Sequence, residues 1–232
     1  MDEELKHTEL RLPEIKEYLY ESVGKILESV GFRFKKSDFS FMRKRKDNSE
    51  KVFFLFYNYY PLNYEMHFLS EIWNQEVESV KSGFQSTQKV EKLNFRSLVM
   101  FMGDFLDECK NVEIGIRKGY TYKLAISTDL VAASERSQAL IGGKLIPLLN
   151  QLTSVDGLDE YFFDDPTWSA KSLNLNNILT DLTVAKIAKR RDVAHVHNVI
   201  VNELNNNPTK KEPNIELINV IDDFVAYLDS RH

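Results

Sequence analysis

Glu65, His67 and Glu71 are the residues in this chain best spaced for chemistry. Their offsets are even, so on a β-strand all three project to one face. A histidine between two carboxylates suits general acid–base work, because imidazole exchanges a proton near neutral pH and a carboxylate orients it. Arg43 and Tyr64 are the further polar groups a folded sheet would bring near them. The expectation is an enzyme site only if these side chains face an open concavity.

Other spacings carry less. His195 and His197 stand two apart in a helical pattern, and helix residues two apart do not share a face. Two partly exposed helix histidines is therefore the better reading, and no metal site is expected. Arg43, Lys44, Arg45 and Lys46 form a basic run, reinforced by Lys35, Lys36 and Lys51, with aromatic residues beside it. Basic residues interleaved with aromatics can bind nucleic acid, but lysines on a strand edge more often block strand addition. Asp156, Asp159, Glu160, Asp164 and Asp165 form an acidic group without the spacing of a calcium loop. A solvated helix face is the plain reading, and docking of a basic partner is the sharper one. Cys109 follows Asp107 and Glu108, whose charge disfavours a thiolate. Gly115 and Gly119 sit in a hairpin pattern. Gly142 and Gly143 lack the Lys and Ser/Thr of a phosphate loop, and no Gly-x-Ser-x-Gly elbow exists.

Composition narrows the class. The 232 residues are 43% hydrophobic, enough for a sizeable core. A net charge of −5 does not favour polyphosphate. One cysteine excludes an internal disulfide framework and suits a reducing compartment. The opening Met1-Asp2-Glu3-Glu4 lacks the apolar core of a signal peptide, and no run reaches membrane-spanning length. A soluble, cytoplasmic protein is expected.

These residues must be positioned by a sheet and its helices. Twelve of the 27 aromatic residues lie in 32–68, which predicts an antiparallel sheet. Helix 13–30 precedes it, stopped by Gly31. Asp47 to Glu50 reads as the hairpin turn, which would set Phe41 opposite Phe56 and Met42 opposite Leu55. Lys51 to Tyr60 is apolar on both faces, so helices 13–30 and 129–152 are both expected to cover it. Residues 72–82 read as a short helix ended by Gly83, and 95–109 as another helix. Residues 112–126 read as a second hairpin. Thr128-Asp129 caps the helix through 152, which Gly142, Gly143 and Pro147 kink or divide. Helices follow at 154–162, 175–189, 192–205 and 214–230. The fold class is α+β: an antiparallel meander sheet covered by helices, then a C-terminal helical segment. The expected domains are 1–165, the sheet domain, and 166–232, helical and packed on the first.

Gly31-Phe32-Arg33-Phe34-Lys35-Lys36-Ser37-Asp38-Phe39, continued by Phe41 and Arg43, resembles the strand opening of a family of uncharacterised bacterial domains. Ile146-Pro147-Leu148-Leu149, followed by Leu158, Tyr161 and Phe162, is similar to that family's later helices. The resemblance covers residues 13–162 and implies an α+β domain without assigned activity. Related small domains look like immunity or inhibitor proteins, which act by binding.

The reading is a non-enzymatic intracellular protein-binding protein, immunity- or inhibitor-like. The alternatives are an enzyme site at Glu65, His67 and Glu71, and nucleic-acid binding through residues 33–51. Another protein is the expected partner, nucleic acid fits less well, and a homodimer is open. No cofactor and no membrane are expected. The interaction residues would be Asp156, Asp159, Glu160, Asp164 and Asp165 together with Arg43, Lys44, Arg45 and Lys46.

Overall fold

A computed structural model describes residues 11–59, 63–88, 98–101, 122–124, 127–166, 168–171, 174–206 and 215–231. The fold is α+β, and the chain forms two compact units that are not contiguous in sequence. The first draws its described residues from 11–45, 49–71 and 100–150, and the second from 46–48, 72–99 and 151–231. Residues 72–88 and 151–165 thus belong to the unit that holds the C-terminal helices.

The first unit opens with α1 (Leu12–Leu19), a π-helical turn (Tyr20–Gly24) and α2 (Lys25–Ser29). Ile15, Leu19, Val23 and Leu27 recur every four residues and are fully buried. Each contributes about 1.5–3 kcal/mol by leaving water. Gly31 ends the helix at φ +94°, and the Phe32 N–H reaches back to the Leu27 carbonyl at 3.0 Å. That closure needs a left-handed residue, which glycine supplies without strain.

The strands β1 (Arg33–Lys35), β2 (Ser40–Lys44), β3 (Asn48–Tyr59) and β4 (Asn63–Asn74) are successive neighbours in one sheet. Asn74 then ends the strand and starts α3 (Gln75–Gln88) of the second unit, its side-chain carbonyl accepting from the Glu76 and Val77 N–H groups. This cap corrects the expected helix over 72–82: Ile72 and Trp73 are strand, and the helix runs through Gly83. β5 (Leu98–Phe101) follows β4 in the sheet, and β6 (Tyr122–Leu124) pairs antiparallel with β4. Residues 98–101 are therefore strand where helix was expected. The remainder of the expected helix 95–109, with Cys109, and residues 112–121, 125 and 126 of the expected hairpin lie outside the described residues.

The hairpin register differs from expectation. Phe41 pairs with Val52 and Met42 with Lys51, because β3 begins at Asn48 and the turn falls at 45–47. The shift is four residues, an even number, so every side chain keeps its face. Phe34, Phe41 and Val52 form one cross-strand row. Phe39, Phe54 and Phe56 join it, with ring centroids 5.0 to 6.5 Å apart. Phe39 holds φ at +45°. An aromatic residue resists that backbone, and its packing among four other rings holds it there.

Gly24 is where the helix meets this face: a Cβ there would stand 2.9 Å from the Phe41 ring. β3 is not covered equally on both sides. Val52 and Phe54 are buried, Phe53 and Leu55 are partly exposed, and Tyr57 is exposed.

α4 (Ser127–Leu140) begins one residue before the expected cap, so Asp129 lies in its first turn, where a carboxylate complements the helix dipole. A π-helical turn (Ile141–Leu145) joins it to α5 (Ile146–Gln151). Pro147 has no N–H to give the preceding turn. The helix answers by widening, the Ile146 N–H donating to Ile141, and is not divided. Ser134 Oγ donates to Ser22 Oγ at 2.6 Å, tying α4 to the first helix.

In the second unit, α3 is joined by α6 (Val155–Asp164), α7 (Trp168–Lys171), α8 (Leu175–Ala188), α9 (Val193–Asn205) and α10 (Ile215–Ser230). The last three match their expected helices to within a residue or so. Asn174 caps α8 and Asp192 caps α9. Phe84, Ile178, Leu182, Ile200, Ile221 and Phe224 anchor one apolar cluster. α8 is its axis, with every residue from Asn176 to Ala185 buried.

Candidate functional site

α6 has the most distinctive surface. Ser154 caps it by accepting from the Gly157 N–H at 3.0 Å. Leu158, Asp159 and Phe162 turn inward and are buried. Asp156, Glu160, Phe163 and Asp164 are all exposed. Their offsets of four, seven and eight place them on one stripe of the helix. Phe163 is 63% exposed, an aromatic ring in water among three carboxylates.

Asp165 is half-buried at the end of this helix. Asp159 is not a surface charge at all. Its Oδ1 accepts from Arg191 Nε at 2.6 Å, and Arg190 Nε lies 3.7 Å from its Oδ2. Arg190 also reaches Glu160 at 3.4 Å from the exposed side. Arg191 further lies 2.7 Å from Asp181 of α8, whose other oxygen accepts from Ser169 at 2.8 Å. Burial pushes the Asp181 carboxyl up to about 6, and the opposing pull of Arg191 and Ser169 does not cancel this.

The basic run is divided in the same way. Arg43 is buried against Glu50, donating through Nε and, at 3.1 Å, through Nη2. It also donates to the Val30 carbonyl at 3.2 Å and to Asn150 at 3.0 Å, and it lies 4.6 Å above the Phe32 ring. Arg45 bonds Asn150 and Glu50 as well. Lys44 and Lys46 are exposed. Lys51 pairs with Asp38 at 3.0 Å. Phe32, Phe39, Phe41 and Phe54, the aromatics beside the run, are buried in the core.

Glu65, His67 and Glu71 all lie on β4, with Glu65 opposite Lys123. The even-numbered Met66, Ser70 and Ile72 are buried, and so is the odd-numbered Leu69, so burial along β4 does not follow a single face. Glu71 is half-buried, and the side chains of Glu65 and His67 lie outside the described residues. Arg43, named with them as a catalytic candidate, is committed to Glu50. His195 is exposed, and His197 bonds Asp222 of α10 at 2.7 Å. Among the described residues, no three His, Cys, Asp or Glu side chains are grouped to hold a metal. No helix among them is long and apolar enough to cross a membrane.

Asp181, Arg190, Arg191 and Phe163 were not singled out from sequence. Asp181 did carry a signal, a lone carboxylate between Ile178, Leu179, Leu182 and Val184. Charges at such positions are paired or neutralised. Comparison with protein-family models, curated proteins and solved structures finds no match, so the site rests on its own geometry.

Proposed function

We propose that the chain is a non-enzymatic binding protein whose outward face of α6 docks a basic surface on a protein partner. The observation that carries this is Phe163, 63% exposed on a stripe with Asp156, Glu160 and Asp164. An aromatic ring ringed by charge has the anatomy of an interface anchor and its rim. The three carboxylates select a cationic partner and speed encounter with it. An inhibitor of a basic protein would use such a face. The single cysteine fits action inside the cell.

Affinity capture from the native lysate tests the reading. The expected result is a basic partner retained at physiological salt, released as salt rises, and lost by the double variant Asp156→Asn/Asp164→Asn. A partner retained equally by that variant, or none at all, removes the proposal.

A further inference from the structure

We propose that the buried Asp159–Arg191–Asp181 cluster is a one-proton latch on the turn between α8 and α9, tightening when Asp181 takes up a proton and easing when it gives the proton up. Charge balance motivates this. Asp159 of α6 and Asp181 of α8 are both at most 1% exposed, and both face Arg191. Two ionised carboxylates against one buried guanidinium leave a net negative charge in the interior, where it is least tolerated.

No second buried cation redresses it among the described residues around Asp181. Arg190 approaches Asp159 at 3.7 Å but is 51% exposed, so water screens it. From α7 the Ser169 hydroxyl donates to Asp181. On α3, Lys81 pairs with Glu78 and donates to Asn176 and Thr180 of α8. From α9, His197 bonds Asp222 of α10, and Asp229 of α10 pairs with Lys186. One proton on Asp181 therefore brings the trio to neutrality, and its carboxyl is already raised to about 6.

The fork is ion-paired to both carboxylates, but its hydrogen bonding is incomplete. Asp159 Oδ2, Asp181 Oδ1 and both terminal nitrogens of Arg191 are buried without an aligned hydrogen bond. With Asp181 neutral, the Arg191 fork can turn wholly to Asp159 and bind it through both oxygens. Arg191 sits in a turn that ends α8 at Lys189, φ +57°, and begins α9 at the Asp192 cap. Reseating it acts on both helix ends.

The test follows the Asp181 carboxyl by carbon-13 NMR and the amide hydrogen exchange of residues 190–194, between pH 5 and 7 in the full chain. The expected result is titration near pH 6, with the turn about tenfold better protected at pH 5 after correction for intrinsic exchange. Asp181→Asn should abolish that difference. Titration of Asp181 in the ordinary carboxylate range overturns the latch, as does turn protection that ignores its titration. The same pH dependence persisting in Asp181→Asn also overturns it. The two wild-type readouts decide the matter even if that variant fails to fold.

Discussion

The two units bury charge in opposite ways. In the sheet unit, one carboxylate, Glu50, is met by two guanidiniums: Arg43, buried and further bonded to Val30 and Asn150, and Arg45, nearer the surface. In the helical unit, two carboxylates are met by one buried guanidinium, Arg191. The first arrangement is a satisfied network at the end of an aromatic row. The second is short of positive charge. A buried network that is complete fixes one structure. One that lacks a counter-charge has its stability tied to pH.

Breaking the complete network should cost most. Glu50→Ala leaves Arg43 buried without its carboxylate and should destabilise the fold by about 3–5 kcal/mol. Replacing both partners, as Arg43→Met/Glu50→Leu, should recover most of that loss in urea unfolding, because well-packed apolar pairs substitute well for buried ion pairs.

The incomplete network predicts a pH dependence of definite sign. The Asp181 carboxyl is raised from 3.8 to about 6 in the folded chain. Between those values the folded state holds more protons than the unfolded one. The Asp181 contribution to stability is therefore greatest below about pH 4, falls as pH rises through the window, and is lowest above about 6. Relative to wild type, Asp181→Asn should gain up to roughly 3 kcal/mol between pH 4 and 7. Thermal unfolding across that range checks it. A smaller effect comes from the adjoining turn. Lys189 holds φ +57°, and Lys189→Gly should stabilise by about 1 kcal/mol in the same assay.

Much of this was legible from residue order. Period-four apolar positions announced the first helix, and aromatic density announced the sheet. Local chemistry fixed the ends of α8 and α9 through Asn174 and Asp192. What was not legible depended on partners distant in sequence. The hairpin is the exception: Arg43 faces Glu50 only seven residues on, and the register differs because Asn48 to Glu50, which read as turn, belong to β3. Asp159 read as one of five surface acids because nothing adjacent shows that Arg191, 32 residues on, buries it. The outward stripe of α6 was legible only in part. Its carboxylates stood out, but the burial of Phe162 and the exposure of Phe163 follow from how the helix is seated.

Phe163→Ala offers the smallest change in stability, within about 0.5 kcal/mol for so exposed a side chain, and the sharpest test of function. The measurement is cross-linking mass spectrometry of the captured complex, run beside quantitative capture by wild type and Phe163→Ala. Cross-links should concentrate on Val155–Asp164, and the variant should lose about tenfold of the partner, the scale of one anchor residue. Unchanged capture by a folded Phe163→Ala, or cross-links that avoid α6, would contradict docking by this face.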